Sequence, residues 1–260
     1  MSPEYLETRS KRMLAFHKIQ GTEPTVVFLG GFKSEMAGTK ALHLEGWAKR
    51  SGRAFLRFDY SGHGVSSGVF SDGCIGDWAE DAEEILNRTT TGRSILVGSS
   101  MGGWISCLMA KRMPERIAAL VTIAAAPDFT EDGFWSSFSD QQKSEVMDKG
   151  ITFLPSDYGD PYPITRRLIE DGRDHLILRS PFPVDFPVRM LQGDLDQSVT
   201  RETALRLFDH MDGNDIHLSF IKGGDHSLSS PGGISQKQQT RGRKGGRGCQ
   251  STRNRREHIG

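Results

Sequence analysis

The chain has 260 residues, with 33 Lys and Arg balanced by 33 Asp and Glu. That length suits one α/β domain, and zero net charge sets up no global field toward a polyanion or a membrane surface. Cys74, Cys107 and Cys249 are too few and odd in number for a disulfide-stapled secreted domain. No apolar run approaches the roughly 18–20 residues of a membrane span. The opening MSPEYLETRSKRMLAF lacks the apolar stretch of a signal peptide, so a soluble intracellular protein is expected.

In chain order, short β-rich apolar runs predict strands at 13–19, 25–29, 54–60, 94–99, 117–124, 187–192 and 216–222. Amphipathic runs between them predict helices at 39–50, 76–86, 101–113 and 200–211. This alternation implies a mostly parallel sheet with helices on both faces. The continuously apolar VVFL, SILVGS and LVTIAAA fit central strands buried on both sides. Residues 127–186 break the rhythm, with Phe134, Trp135, Phe138, Phe153, Tyr158 and Tyr162 scattered among prolines and polar residues. Such a length is too great for a plain loop, and it reads as a helical cap inserted between core segments 1–126 and 187–228. From 229 to 260 the chain is Gly, Gln, Arg and Lys with few apolar residues, a composition expected to be disordered.

The pattern Gly-x-Ser-x-Gly occurs at Gly64–Gly68 and again at Gly98–Gly102. A nucleophile elbow needs a buried strand, a sharp turn and a helix whose N-terminus faces the reacting centre. Ser100 has all three, whereas Ser66 is followed by the turn-rich VFSDGCIG and reads as a loop residue. A serine hydroxyl needs a base that is oriented by an acid. The loop after 187–192 offers Asp194 and Asp196, and the turn after 216–222 offers Asp225 and His226. Asp196 is favoured for its place beside the next helix, with Asp194 the second candidate and Asp225 shaping the turn. His63, His210, His217 and His258 are weaker candidates for the base. The expected triad is Ser100, His226 and Asp196. The oxyanion donors would be the backbone N–H of Met101 and that of Phe32, in the loop Gly30-Gly31-Phe32-Lys33.

The motifs FLGGFKSEMAGTKA, RFDYSGHGVSSG, LVGSSMGGW, LQGDLDQSV and GGDHSLS resemble the α/β-hydrolase superfamily, and within it the palmitoyl-protein thioesterase and acyl-glucuronide esterase branch. The resemblance spans about residues 13 to 228 and implies Ser100, Asp196 and His226 in the catalytic roles. It further implies hydrolysis of acyl thioesters and esters, with a small-molecule acyl ester or an acylated cysteine of a protein as substrate. No metal or organic cofactor is required. The aromatic residues of the insertion, Phe134, Trp135 and Phe138, would line the acyl site. A cytoplasmic location follows for a bacterial source, and the mitochondrial matrix for a eukaryotic one.

Relatives of this branch continue past the histidine turn into an amphipathic helix. Here SSPGGISQKQQTRGRKGGRGCQSTRNRREHIG follows instead, and it reads as a frameshifted or otherwise aberrant terminus. Residues 236–260 carry eight basic residues against Glu257 alone, a net +7 offset by −7 in the rest of the chain. A nucleic-acid arm is the competing reading, but no aromatic residue is present for base stacking and no specific nucleic-acid partner is expected. Because fold does not fix function, a non-catalytic binding protein of the same fold and a serine peptidase are also compatible with these motifs.

Overall fold

The structure, a computed structural model, describes residues 2–155, 161–179 and 181–228. The chain opens with strands β1 (Glu4–Glu7), β2 (Met13–Ile19) and β3 (Thr22–Leu29), then helix α1 (Thr39–Ser51) and strand β4 (Arg53–Phe58). Helix α2 (Ile75–Thr89), β5 (Ser94–Ser99), α3 (Met101–Arg112) and β6 (Ile117–Ile123) complete the first part of the core. The insertion contributes α4 (Asp140–Ser144), β7 (Ile151–Leu154), β8 (Tyr162–Thr165), α5 (Arg166–Arg173) and the short β9 (Phe182–Pro183). The core resumes with β10 (Val188–Gly193), α6 (Arg201–His210), the short β11 (Met211–Asp212) and β12 (Ile216–Ile221).

Eight strands form one sheet in the order β1-β2-β4-β3-β5-β6-β10-β12. Only β2 runs against its neighbours; from β4 to β12 the pairing is parallel. Parallel strands need crossovers, and the helices that supply them bury both faces. Successive side chains therefore serve opposite cores: Val27 and Leu29 pack with Trp78, Met101 and Trp104 on one face, while Val26 and Phe28 pack with Ala41, Ala48 and Phe55 on the other. Helix α2 turns Ile75, Trp78, Ala79, Ala82, Ile85 and Leu86 inward, at the three- and four-residue spacing of one helical face. Helix α3 is buried from Met101 to Ala110, which explains its apolar residues on every side.

The expected strands and helices are all present, with ends shifted by a few residues. Two features differ from expectation. Strand β1, EYLE, is a largely exposed edge without an apolar run to announce it. The insertion is not wholly helical: after π-helical turns at Phe129–Trp135 and Glu145–Lys149, β7 and β8 pair antiparallel. The β-branched Thr152 and Ile164 face each other in that register and are buried, a cross-strand pair that stabilises the hairpin. Asp128, fully buried, accepts from the Ile177 and Leu178 amides at 2.8 and 2.9 Å and so ties the start of the insertion to its end. Tyr158 and the basic segment 229–260 lie outside the described residues. Among those described, no helix is long and apolar enough to cross a membrane.

Candidate active site

Strand β5 ends at Ser99, and the chain reverses sharply through Ser100 into α3. Ser100 has φ 53° and ψ −119°, outside the regions an L-residue prefers. The strained backbone is held by three bonds: the Ser100 N–H donates to the Ile123 carbonyl at 2.9 Å, and its carbonyl accepts from the Gly103 and Ala126 amides at 2.9 and 3.0 Å. Close approach requires glycine on either side. A Cβ at Gly98 would overlap the Gly102 carbonyl, and one at Gly102 would overlap the carbonyls of Leu29 and Gly30.

The parallel sheet brings the ends of β5, β10 and β12 to one rim. There His226 Nε2 lies 3.1 Å from Ser100 Oγ, and Nδ1 lies 2.9 Å from Asp196 Oδ2. The Asp196 side chain is fully buried and the imidazole half-buried. Asp196 Oδ1 accepts from the Ser198 and Val199 amides, each at 2.9 Å, and Oδ2 also accepts from Gln192 Nε2 at 3.0 Å. Burial pushes this carboxyl up, but the His226 and amide hydrogen bonds outweigh it and hold it below the usual carboxylate range. It is therefore ionised at neutral pH and keeps the His226 proton on Nδ1, leaving a lone pair on Nε2 toward Ser100.

The two competing acids sit elsewhere. Asp194 bonds Lys222 Nζ at 2.8 Å and the Gly223 amide, joining the two loops behind the histidine. Asp225 Oδ1 accepts from the Ser227 and Leu228 amides at 3.0 and 3.1 Å and shapes the turn. Lys40, on α1, donates to the Ser227 carbonyl at 2.7 Å, next to His226. Its burial lowers the ammonium pKa against the opposing pull of Asp225 and Asp196. Sequence patterns gave no sign of Lys40, which acts on a backbone carbonyl far along the chain, or of Gln192, whose contact with Asp196 four residues on depends on the path of the loop between them.

Met101 stands at the first position of α3, and Phe32 lies in the turn after β3. Among the described residues, neither backbone N–H has a hydrogen-bond partner. Gly31 lies against Ser100 and Ser99, so the turn borders the nucleophile. The Phe32 ring meets Phe70 (4.8 Å between centroids), Phe129 (5.5 Å), Tyr162 (5.9 Å) and Phe134 (6.0 Å), linking this turn to the insertion. Of the residues expected to line an acyl site, Phe134 belongs to this aromatic group. Phe138 stacks behind Phe134 in the core, and the Trp135 ring is covered by Arg173 and Lys143.

Ser66 is a loop residue: its Oγ accepts from the Ala15 amide at 2.8 Å and donates to the Asp59 carbonyl at 2.7 Å. His217 pairs with Asp215 at 3.2 Å on the exposed side of β12, and His210 Nδ1 bonds the Arg206 carbonyl at 2.7 Å. Cys74 and Cys107 are buried, which pushes each thiol up to about 12 and removes both as nucleophiles.

A strained serine at a strand–helix turn, a histidine and a buried carboxylate at the ends of later strands define an α/β-hydrolase site. The family model for the alpha/beta hydrolase fold matches residues 24–162, and the chain belongs to this family. It is 36% identical over 217 residues to the mitochondrial palmitoyl-protein thioesterase ABHD10 of Homo sapiens, covering 83% of this chain and 71% of that protein. With the same enzyme of Rattus norvegicus it shares 37% over 223 residues, covering 85% and 75%. Among solved structures, a protein from Agrobacterium vitis S4 superposes with a TM-score of 0.85 at 35% identity, covering 92% of this chain and 97% of that one. The mouse alpha/beta hydrolase domain-containing protein 10 gives 0.82 at 33%, covering 93% and 97%. The chain is thus a hydrolase of the α/β fold, homologous to these thioesterases.

Proposed function

We propose that the protein hydrolyses acyl thioesters and esters through a covalent acyl-enzyme on Ser100. The observation that carries this reading is the continuous hydrogen-bonded line from Ser100 Oγ through His226 to buried Asp196, with contacts of 3.1 and 2.9 Å. His226 Nε2 takes the Ser100 proton as Oγ attacks the carbonyl, then returns it to the departing thiol or alcohol. Asp196 fixes the tautomer and balances the imidazolium charge. The developing oxyanion meets the N–H groups of Phe32 and Met101, a contribution worth about 10²–10³ in rate per donor. Water then enters and the same base deacylates the enzyme.

The substrate class is a small-molecule acyl ester or the acylated cysteine of a protein, with a palmitoyl thioester or an acyl glucuronide as the leading forms. The relatives' activity and the aromatic residues beside Phe32 support it: Phe134 and Phe129 offer an apolar wall next to the reacting carbonyl. No nucleic-acid partner enters this reading. Its site of action is the cytoplasm, or the mitochondrial matrix in a eukaryotic source.

The test is a chain-length series of p-nitrophenyl esters and acyl-CoA thioesters, with Ser100→Ala alongside. Turnover by the wild type and a fall of about 10⁶ in kcat for the variant are expected. Activity that survives the substitution, or well-folded wild type that turns over none of the series, would overturn the proposal.

A further inference from the structure

The motif RFDYSGHG has no role in the chemistry described above, yet three of its residues reach the turn that holds Phe32. Arg57 donates to the Met36 carbonyl at 2.9 Å, and Asp59 accepts from the Met36 amide. His63 Nε2 accepts from the Lys33 amide at 3.2 Å. We propose that His63 is a positioning residue of the oxyanion hole, its unprotonated Nε2 bracing the turn that aims the Phe32 N–H. The inference rests on the serine-hydrolase reading.

The Phe32 N–H belongs to the Gly31–Phe32 peptide plane. The carbonyl of that plane accepts from the Ser34 amide at 3.2 Å and Ser34 Oγ at 2.8 Å. Since the peptide is planar and trans, fixing the carbonyl sets the opposite direction of the N–H. The following plane, Phe32–Lys33, is held through its N–H by His63. Lys33 has φ 55°, a left-handed conformation unfavourable for a non-glycine residue, which needs outside support. With both planes anchored, the Phe32 N–H keeps its direction before substrate arrives, as preorganised stabilisation demands.

His63 is suited to the task because it is immobile and neutral. It is 3% exposed and packed among Tyr60, Phe70 and Trp78, with ring centroids 5.6, 5.1 and 5.1 Å away. An amide can only donate, so Nε2 carries the lone pair and Nδ1 carries the proton, donated to the Ser61 carbonyl at 3.1 Å. Ser61 is itself fixed by Asp81 Oδ2, which accepts from its amide at 2.8 Å and its hydroxyl at 2.6 Å. Burial lowers the His63 pKa against the pull of the Ser61 carbonyl and Asp59. The ionisable groups around it are Asp59 on its own loop, Lys33 on the turn, Asp81 on α2 and the phenol of Tyr60.

The experiment compares wild type, His63→Phe and His63→Gln. Phe keeps the packing without an acceptor, and Gln restores an acceptor oxygen at similar reach. On a p-nitrophenyl ester, His63→Phe is expected to lower kcat about ten- to a hundredfold with KM within about twofold. His63→Gln should recover most of that loss. A His63→Phe enzyme within twofold of wild type, or equal losses in both variants, overturns the brace. Long-range ¹H–¹⁵N NMR of wild type supplies a readout that needs no variant to fold: an unprotonated Nε2 on His63 supports the proposal, and a protonated one overturns it. If wild type itself turns over no ester, the serine-hydrolase reading is what fails, while the tautomer still tests the brace.

Discussion

Replacing Asp196 by Asn removes one charge and almost no volume, yet its neighbours dictate which way the new amide points. One carboxylate oxygen accepts from two backbone amides at 2.9 Å, and the other from Gln192 Nε2 and His226 Nδ1 at 3.0 and 2.9 Å. All four partners are donors, and Asn brings a single acceptor oxygen. Turning its NH₂ toward the fixed Ser198 and Val199 amides would leave both donors without an acceptor, at about 1–3 kcal/mol for the buried Val199 amide alone. The side-chain amide of Gln192 can instead rotate, giving up one bond to the Val199 carbonyl, and the imidazole can exchange tautomers, so the Asn NH₂ faces His226. Nδ1 must then accept, the proton moves to Nε2, and the ring cannot take the proton of Ser100. The expected loss is on the order of 10⁴ in kcat, about 5.5 kcal/mol of transition-state stabilisation, with the fold intact. Steady-state hydrolysis of a p-nitrophenyl ester measures it, with circular dichroism to verify folding. Asp194→Asn is the control: its ion pair with exposed Lys222 lies behind the site, so a change within about fivefold is expected. A loss below tenfold for Asp196→Asn, or a larger loss for Asp194→Asn, would refute this assignment of the acid.

Gly102→Ala should prevent formation of the elbow, because its methyl would meet the carbonyls of Leu29 and Gly30; soluble protein with wild-type activity would contradict this. Lys40→Met removes a hydrogen bond to the Ser227 carbonyl next to His226, so kcat should fall by roughly ten- to a hundredfold, in line with about 1.5–3 kcal/mol for a charged donor. Thermal melts of the variant should show a smaller effect than its kinetics. Two of the depressed pKa values make distinct contributions to the pH dependence of stability. His63 takes up a proton more readily unfolded than folded, so its contribution is complete above about pH 6.5 and declines as pH falls toward the folded value. Asp196 adds stability that is complete above about pH 3.9 and lost as pH falls through its lower folded value. The melting temperature of wild type should therefore drop below about pH 6.5, and less steeply in His63→Gln; parallel curves would exclude a contribution from His63.

Much of the core was legible because its elements are determined locally. VVFL is buried and apolar throughout and SILVGS is nearly all buried around its apolar ILV, while the i, i+3, i+4 spacing from Ile75 to Leu86 defines one inward helix face. The elbow was readable for the same reason: strand, glycine turn and helix are contiguous, and the steric need for Gly98 and Gly102 is written beside Ser100. The hairpin of the insertion was not readable, since four-residue strands bounded by prolines have too short a period to announce themselves.

Which residues support the site was decided only by tertiary structure. Asp194 and Asp196 share one loop and one chemistry; only the fold turns Asp196 onto His226 and Asp194 onto Lys222. His63 precedes Ser100 in the chain and was a poor base by order, yet the sheet brings it under the Phe32 turn, where it accepts from the distant Lys33 amide. The physical reason is common to these cases. Periodicity and turn chemistry act between near neighbours and can be read along the chain, whereas a hydrogen bond between distant segments depends on sheet order and on the direction of individual backbone groups.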